Sequence, residues 1–200
     1  MFIANNKFKA LLKEACKNGR LRIGLDENNM YYIDGVIWHM EVPKEYLSNA
    51  IKAQIVELTG ELPQAGEAYT CSQTDKQELL LEALKEGTWE VYEDAKTGYV
   101  EETRVSVRTD GGVKKIFQGV GGDGAYMVPE EFTQCISTSS MDDGETMKSP
   151  KIISSRVYFA GNQMAIWHMI HLPKFAGEDI FLNTISNCDL DWIQADEERI

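Results

Sequence analysis

The residues of this chain that could do chemistry are a glycine run, three histidines, four cysteines and a large excess of carboxylates. Gly119-Val120-Gly121-Gly122-Asp123-Gly124 matches G-x-G-x-x-G letter for letter. In a dinucleotide site that run must open a helix, whose first N–H groups then meet the pyrophosphate. Here a short apolar stretch and Pro129 follow, so a turn between strands is the better reading, and no Gly-Lys-Ser/Thr follows to make a phosphate loop. His168 and His171 stand three apart: on a helix they could share a metal, but on a strand they point to opposite faces. No cysteine or carboxylate is placed by spacing to complete a ligand set, so no metal and no cofactor is expected. Among the carboxylates only Asp34 sits in an otherwise apolar segment, and the Asp34-Gly35 turn accounts for it. No serine lies in a G-x-S-x-G elbow and no metalloprotease helix motif is present. Cys16, Cys71, Cys135 and Cys188 are widely separated and read as reduced, mostly buried thiols. The expectation is a protein with no catalytic residue.

Charge narrows the function further. The net charge of −12 disfavours a protein that grips nucleic acid with its whole surface. Its distribution is uneven. Lys7, Lys9, Lys13, Lys17 and Arg20 make the first segment basic, whereas 61–102, 130–145 and 178–198 are acidic. No apolar run approaches the roughly 20 residues of a membrane helix, and no secretory leader is visible, which predicts a cytoplasmic protein without membrane contact.

The elements that must position these residues are organised around a repeat. Ile37-Trp38-His39-Met40 returns as Ile166-Trp167-His168-Met169, each copy followed by Pro-Lys at 43–44 or 173–174. Tyr31-Tyr32 and Gly35 precede the first copy; Tyr158-Phe159 and Gly161 precede the second. Helical spacing of Phe8, Leu11, Leu12 and Ala15 predicts a helix over 6–18, stopped by Asn18-Gly19. Strands are predicted at 21–25, 30–33 and 36–42, with a two-residue hairpin at Asp34-Gly35. Pro43 is expected to open a helix reaching Leu58. Residues 62–74 read as a linker, 75–86 as an amphipathic helix, and 89–117 as a three-stranded meander around Asp94–Gly98 and Asp110–Gly112. A short strand at 125–128, a short helix after Pro129, a mobile acidic loop at 137–150, a second hairpin from 152–159 and 164–172, and a tail docked by Trp192 complete the chain. The fold class is α+β: duplicated units of helix plus antiparallel hairpin with a central β-meander. The units are 1–62 and 75–200, the latter ending in the acidic tail.

The order helix, three short strands, proline and helix, carried by 7–19, 21–25, 30–42 and Pro43-Lys44 and returning over 152–174, resembles the repeating unit of DNA sliding clamps. The resemblance implies helices on an inner, nucleic-acid-facing surface and sheets outside. The basic helix with Lys7, Lys9, Lys13 and Lys17, near Lys44 and Lys52, suits such a surface. It also implies self-association, since one chain cannot encircle a duplex.

Two functions follow as expectations. The first is a non-enzymatic inhibitor, of viral or mobile-element type, that fills the basic channel of a nucleic-acid-binding protein such as a defence nuclease. Its contacts would be Glu90, Glu93, Asp94, Glu101 and Glu102 in the meander and Asp142, Asp143 and Glu145 in the loop. The alternative is a clamp-like accessory factor, possible as a homo-oligomer, that touches DNA directly through Lys7, Lys9, Lys13 and Lys17.

Overall fold

The computed structural model describes every residue except 36, 122, 123, 142, 170–177, 187, 189 and 191–200. The first helix, α1 (Asn5–Lys17), buries Phe8, Leu11, Leu12, Ala15 and Cys16, the stripe its spacing dictates. It stops where Gly19 takes a φ of 65° and the Arg20 N–H returns to the Ala15 carbonyl at 2.8 Å. Strands β1 (Leu21–Leu25), β2 (Met30–Asp34) and β3 (Trp38–Pro43) follow as an antiparallel meander. The hairpin between β2 and β3 is longer than two residues: Asp34 pairs with His39, and Asp34 belongs to the strand rather than the turn. Pro43 ends β3 but opens no helix. Helix α2 (Asn49–Thr59) starts after Ser48, whose Oγ accepts the Ile51 N–H at 3.3 Å and so satisfies an N-terminal donor.

Residues 62–74 are not a linker, because β4 (Glu67–Cys71) pairs along the whole length of β1. Nor do 75–86 form an amphipathic helix. They hold β5 (Lys76–Glu78) and a single 3-10 turn, Leu81–Ala83. Gly87 then leads into α3 (Thr88–Asp94), where a strand was expected. The three-stranded meander is instead β6 (Val100–Thr109), β7 (Gly112–Gly119) and β8 (Ala125–Pro129), and the glycine run lies between β7 and β8. Helix α4 (Glu130–Thr133) follows. Strands β9 (Lys151–Ile153), β10 (Arg156–Ala160) and β11 (Ile166–Met169) then complete a second antiparallel meander, with α5 (Glu178–Ile185) after it. The expected single strand over 152–159 is therefore two strands, joined by Ser154 and Ser155 at φ 49° and 64°. Left-handed backbone at both central residues is the two-residue hairpin geometry, and serine gives little sign of it in sequence. Trp192 lies outside the described residues.

The strands form an eight-stranded sheet, ordered β5-β4-β1-β2-β3-β11-β10-β9, and the three-stranded sheet β6-β7-β8. Every pair is antiparallel. This establishes an α+β protein; clamp-like duplicated units are not confirmed by it. The two repeat copies meet: β3 and β11 pair with His39 opposite His168, Trp38 opposite Met169 and Met40 opposite Trp167.

Alternation along the strands sorts their side chains between two faces. One face carries Leu21, Ile23, Leu25, Tyr31, Ile33, Trp38, Met40, Val157, Phe159 and Trp167 and is buried with α1, α2 and α4 in the main core. Phe8 of α1 lies edge-on to Trp38 at 5.2 Å between centroids. Phe132 of α4 and Phe159 lie 5.9 and 5.8 Å from Trp167.

The other face is covered by residues 79–98, a strap running across the sheet. Leu81 and Leu84 pack on Tyr32 and Ala68, and Trp89 and Tyr92 pack on Tyr158, Ala160 and Ile166. Gly24 lets the strap approach: a Cβ there would come within 2.6 Å of Leu81 Cδ1. The far end is held by buried Lys151, whose Nζ donates to the carbonyls of Tyr92 and Ala95 at 2.7 and 2.8 Å. A cation at the C-terminal carbonyls of α3 also meets the negative end of the helix dipole. Among the described residues no helix is long and apolar enough to cross a membrane.

Trp167 is fully buried between two aromatic rings. Trp167→Ala is expected to cost about 3–5 kcal/mol, measured by urea denaturation. A loss under about 1 kcal/mol would show that the core does not depend on this contact.

Candidate functional site: a buried histidine and carboxylate cluster

Strand alternation that buries Trp38, Met40 and Trp167 on one face necessarily turns Asp34, His39, Glu41 and His168 to the other. All four are buried under the strap, with exposures of 1, 0, 5 and 0%. Glu86 reaches them from the strap just before α3, Thr88 from its first residue, and Arg22 and Arg156 from β1 and β10.

His39 stands between two acids. Its Nε2 lies 3.2 Å from Glu41 Oε1, and its Nδ1 lies 3.6 Å from Asp34 Oδ2, beyond hydrogen-bond reach. Arg22 holds the other oxygen of Asp34, with Nη2 at 2.9 Å. Glu41 Oε1 also accepts the backbone N–H of Thr88 at 3.2 Å. Burial works against a charge on His39, but the carboxylates of Asp34 and Glu41 outweigh it and raise its pKa to about 9. Burial likewise opposes the charge on Glu41, yet His39 and Thr88 hold its pKa below the usual carboxylate value.

His168 is held the other way. Its ring stacks on Tyr158 at 4.9 Å and lies 5.3 Å from the His39 ring. Burial, then the charges of His39 and Arg156, drive its pKa far down. Its Nε2 lies 3.5 Å from Thr88 Oγ1 and 3.8 Å from Glu86 Oε2, which also accepts Arg156 Nη1 at 2.9 Å. Two histidines equivalent in sequence thus sit side by side with their pKa values displaced in opposite directions, because only His39 has carboxylates near both ring nitrogens.

None of these residues was read from sequence as a site. Asp34 was attributed to a turn, and Glu41 and Glu86 were lost among many acids. The available signal was polar residues on the alternate positions of strands whose other face is wholly apolar. His171 lies outside the described residues. Cys16, Cys71 and Cys135 are buried, and desolvation pushes the thiols of Cys71 and Cys135 up to about 12, so they are poor nucleophiles; Cys188 is exposed.

The described acids among those read as partner contacts fall on α3, on β6 and in the segment before β9. Glu90, Glu93 and Asp94 are exposed on α3, a helix and not the meander. Glu101 and Glu102 are half-buried on β6, and Glu102 faces Lys115 at 3.8 Å. Asp142 lies outside the described residues, and Asp143 is exposed. The Glu145 side chain is 9% exposed and pairs with the amino terminus of Met1. On α1, Lys7, Lys13 and Lys17 are exposed and Lys9 is half-buried. Lys7 donates to Gln134 at 2.8 Å, and Lys13 lies 4.0 Å from Glu57. No protein-family model, curated protein or solved structure matches the chain.

Removing the cation between two buried carboxylates leaves them uncompensated. His39→Leu is therefore expected to cost about 3–5 kcal/mol in urea denaturation at neutral pH. Glu86→Gln, on the part-exposed strap, should cost no more than about 1 kcal/mol. Equal costs for the two would contradict the assignment of His39 as the centre of the cluster.

Proposed function

We propose that the protein is a non-catalytic binding protein that docks its acidic strap on the basic, nucleic-acid-binding surface of another protein. The observation that supports this reading is the run of exposed acids Glu82, Glu86, Glu90, Glu93 and Asp94 along one segment laid over the sheet. Leu81, Leu84, Trp89 and Tyr92 are turned into the sheet, and the side a partner meets carries these acids together with exposed Leu80 and Val91. Carboxylates on a fixed support offer a basic channel the charge of a phosphate backbone without its flexibility, and complementary charge speeds encounter. Several strap acids already have basic neighbours: Lys85 beside Glu82, Arg156 beside Glu86 and Lys148 beside Glu93. These pairs fix side-chain direction but leave the segment acidic overall. A nuclease with a basic channel, in a viral or mobile-element setting, is the partner class this reading favours.

A second reading, direct duplex binding by a clamp-like factor, rests on the exposed lysines Lys7, Lys13 and Lys17 of α1.

The test is retention of a nucleic-acid enzyme from lysate, with duplex DNA as competitor. The docking reading expects capture at low salt, release by DNA or high salt, and at least a tenfold loss in the Glu90→Lys, Glu93→Lys, Asp94→Lys triple variant. Capture unchanged by that variant would end the reading. Salt-sensitive binding of labelled duplex, lost in Lys13→Glu with Lys17→Glu, would move the assignment to α1.

A further inference from the structure

Beneath the strap, side chains of the sheet and of the strap bring potential metal-ligand atoms together. One donor atom each from Asp34, His39 and Glu86 lie within 4.8 Å of one another. His39 Nδ1 is fully buried, has no hydrogen-bond partner and faces Asp34 Oδ2 across 3.6 Å. A tetrahedral ion with bonds of about 2.0–2.1 Å sets its ligand atoms about 3.3 Å apart, so this pair needs to close only slightly. We propose that Asp34, His39 and Glu86 bind one divalent first-row transition-metal ion, which fastens the strap to the sheet.

The surrounding contacts are those a metal site needs. Glu41 only accepts hydrogen bonds and lies at Nε2, so an ion that displaces the Nδ1 proton to solvent leaves the remaining hydrogen at Nε2 and takes the Nδ1 lone pair. Thr88 holds Glu41 through its backbone N–H. Arg22 Nη2 lies 2.9 Å from Asp34 Oδ1 and His39 Nδ1 lies 3.6 Å from Oδ2, while Arg156 orients Glu86. His168 Nε2, beside Glu86, is a further nitrogen at the edge of the set. Imidazole with two carboxylates and no thiolate suits Zn2+, Co2+ or Mn2+. Glu86 supplies a way in, since its side chain is 31% exposed. The two sheet ligands are preformed, and the strap ligand closes over the ion. The role is structural and holds whether or not the strap docks on a partner.

Untagged protein freed of metal with a chelator is titrated with Zn2+ by calorimetry and with Co2+ by visible absorption, and its Tm is followed. Saturable binding of one ion per chain with a raised Tm is expected, since an ion that binds only the folded state must stabilise it. Glu86→Gln should weaken binding at least tenfold and abolish the Tm rise, as should Asp34→Asn. Glu90→Gln, on the same strap, and His171→Ala should bind as the natural chain does. No saturable binding of either ion, or binding unchanged by Glu86→Gln, overturns the site; loss in His171→Ala alone does so equally. If Asp34→Asn does not fold, the Glu86→Gln comparison still decides the question.

Discussion

The pairing of β3 with β11 is the contact on which this molecule depends. It joins the first three strands to the last three, which are separated by more than a hundred residues of chain, and makes one sheet of them. Its register puts Trp38 beside Met169 and Met40 beside Trp167 on the core face, and His39 beside His168 on the other. A slip of one residue would invert one of the two strands, placing a tryptophan under the strap and a histidine in the apolar core. The aromatic contacts of Phe8, Phe132 and Phe159 with the tryptophans hold the register from one side, and the histidine cluster holds it from the other.

Burying charge under the strap is costly, and the way it is offset explains the neighbourhood. Asp34 has Arg22 and His39, Glu41 has His39 and Thr88, and Glu86 has Arg156. Each acid is met by a cation or a backbone donor, as burial of a carboxylate requires. The cost is offset unequally at the two histidines. The acids flanking His39 raise its pKa, whereas burial and the neighbouring charges of His39 and Arg156 lower that of His168. The two repeat copies differ at one decisive position, Glu41 in the first against Ile170 in the second, and β2 adds Asp34 beside His39.

The strap ties this interior to the surface. Its inward residues Leu81, Leu84 and Tyr92 pack on the sheet, its outward residues include Glu82, Glu90, Glu93 and Asp94 beside Leu80 and Val91, and Glu86 belongs to both environments. An event that moved the strap would expose the cluster, and a change in the cluster would be felt along the strap. The proposed docking surface and the proposed metal site share Glu86 and would be coupled through it.

Periodicity by itself determined α1, the strands 21–25 and 30–42, the antiparallel character of the chain and the α+β class, because each rests on contacts between near neighbours. The repeat was legible too, including the equivalence of His39 and His168. What the repeat meant in space was not, because strand pairing at a separation of more than a hundred residues leaves no local trace. Segment 75–94 went wrong for a related reason. Its leucines at helical spacing suit a helix as well as they suit a strap whose backbone follows the sheet, and packing on Tyr32 and Ala68 decided between them. Asp34 looked like a turn residue because Asp-Gly is a strong turn signal, yet β2 extends through it to meet His39. The acids could be counted from the sequence but not sorted. Which of them face solvent on the strap, which pair with Lys115 or the amino terminus, and which lie buried against a histidine depends on tertiary neighbours, and so only the folded chain decided where its charge and its candidate site would be.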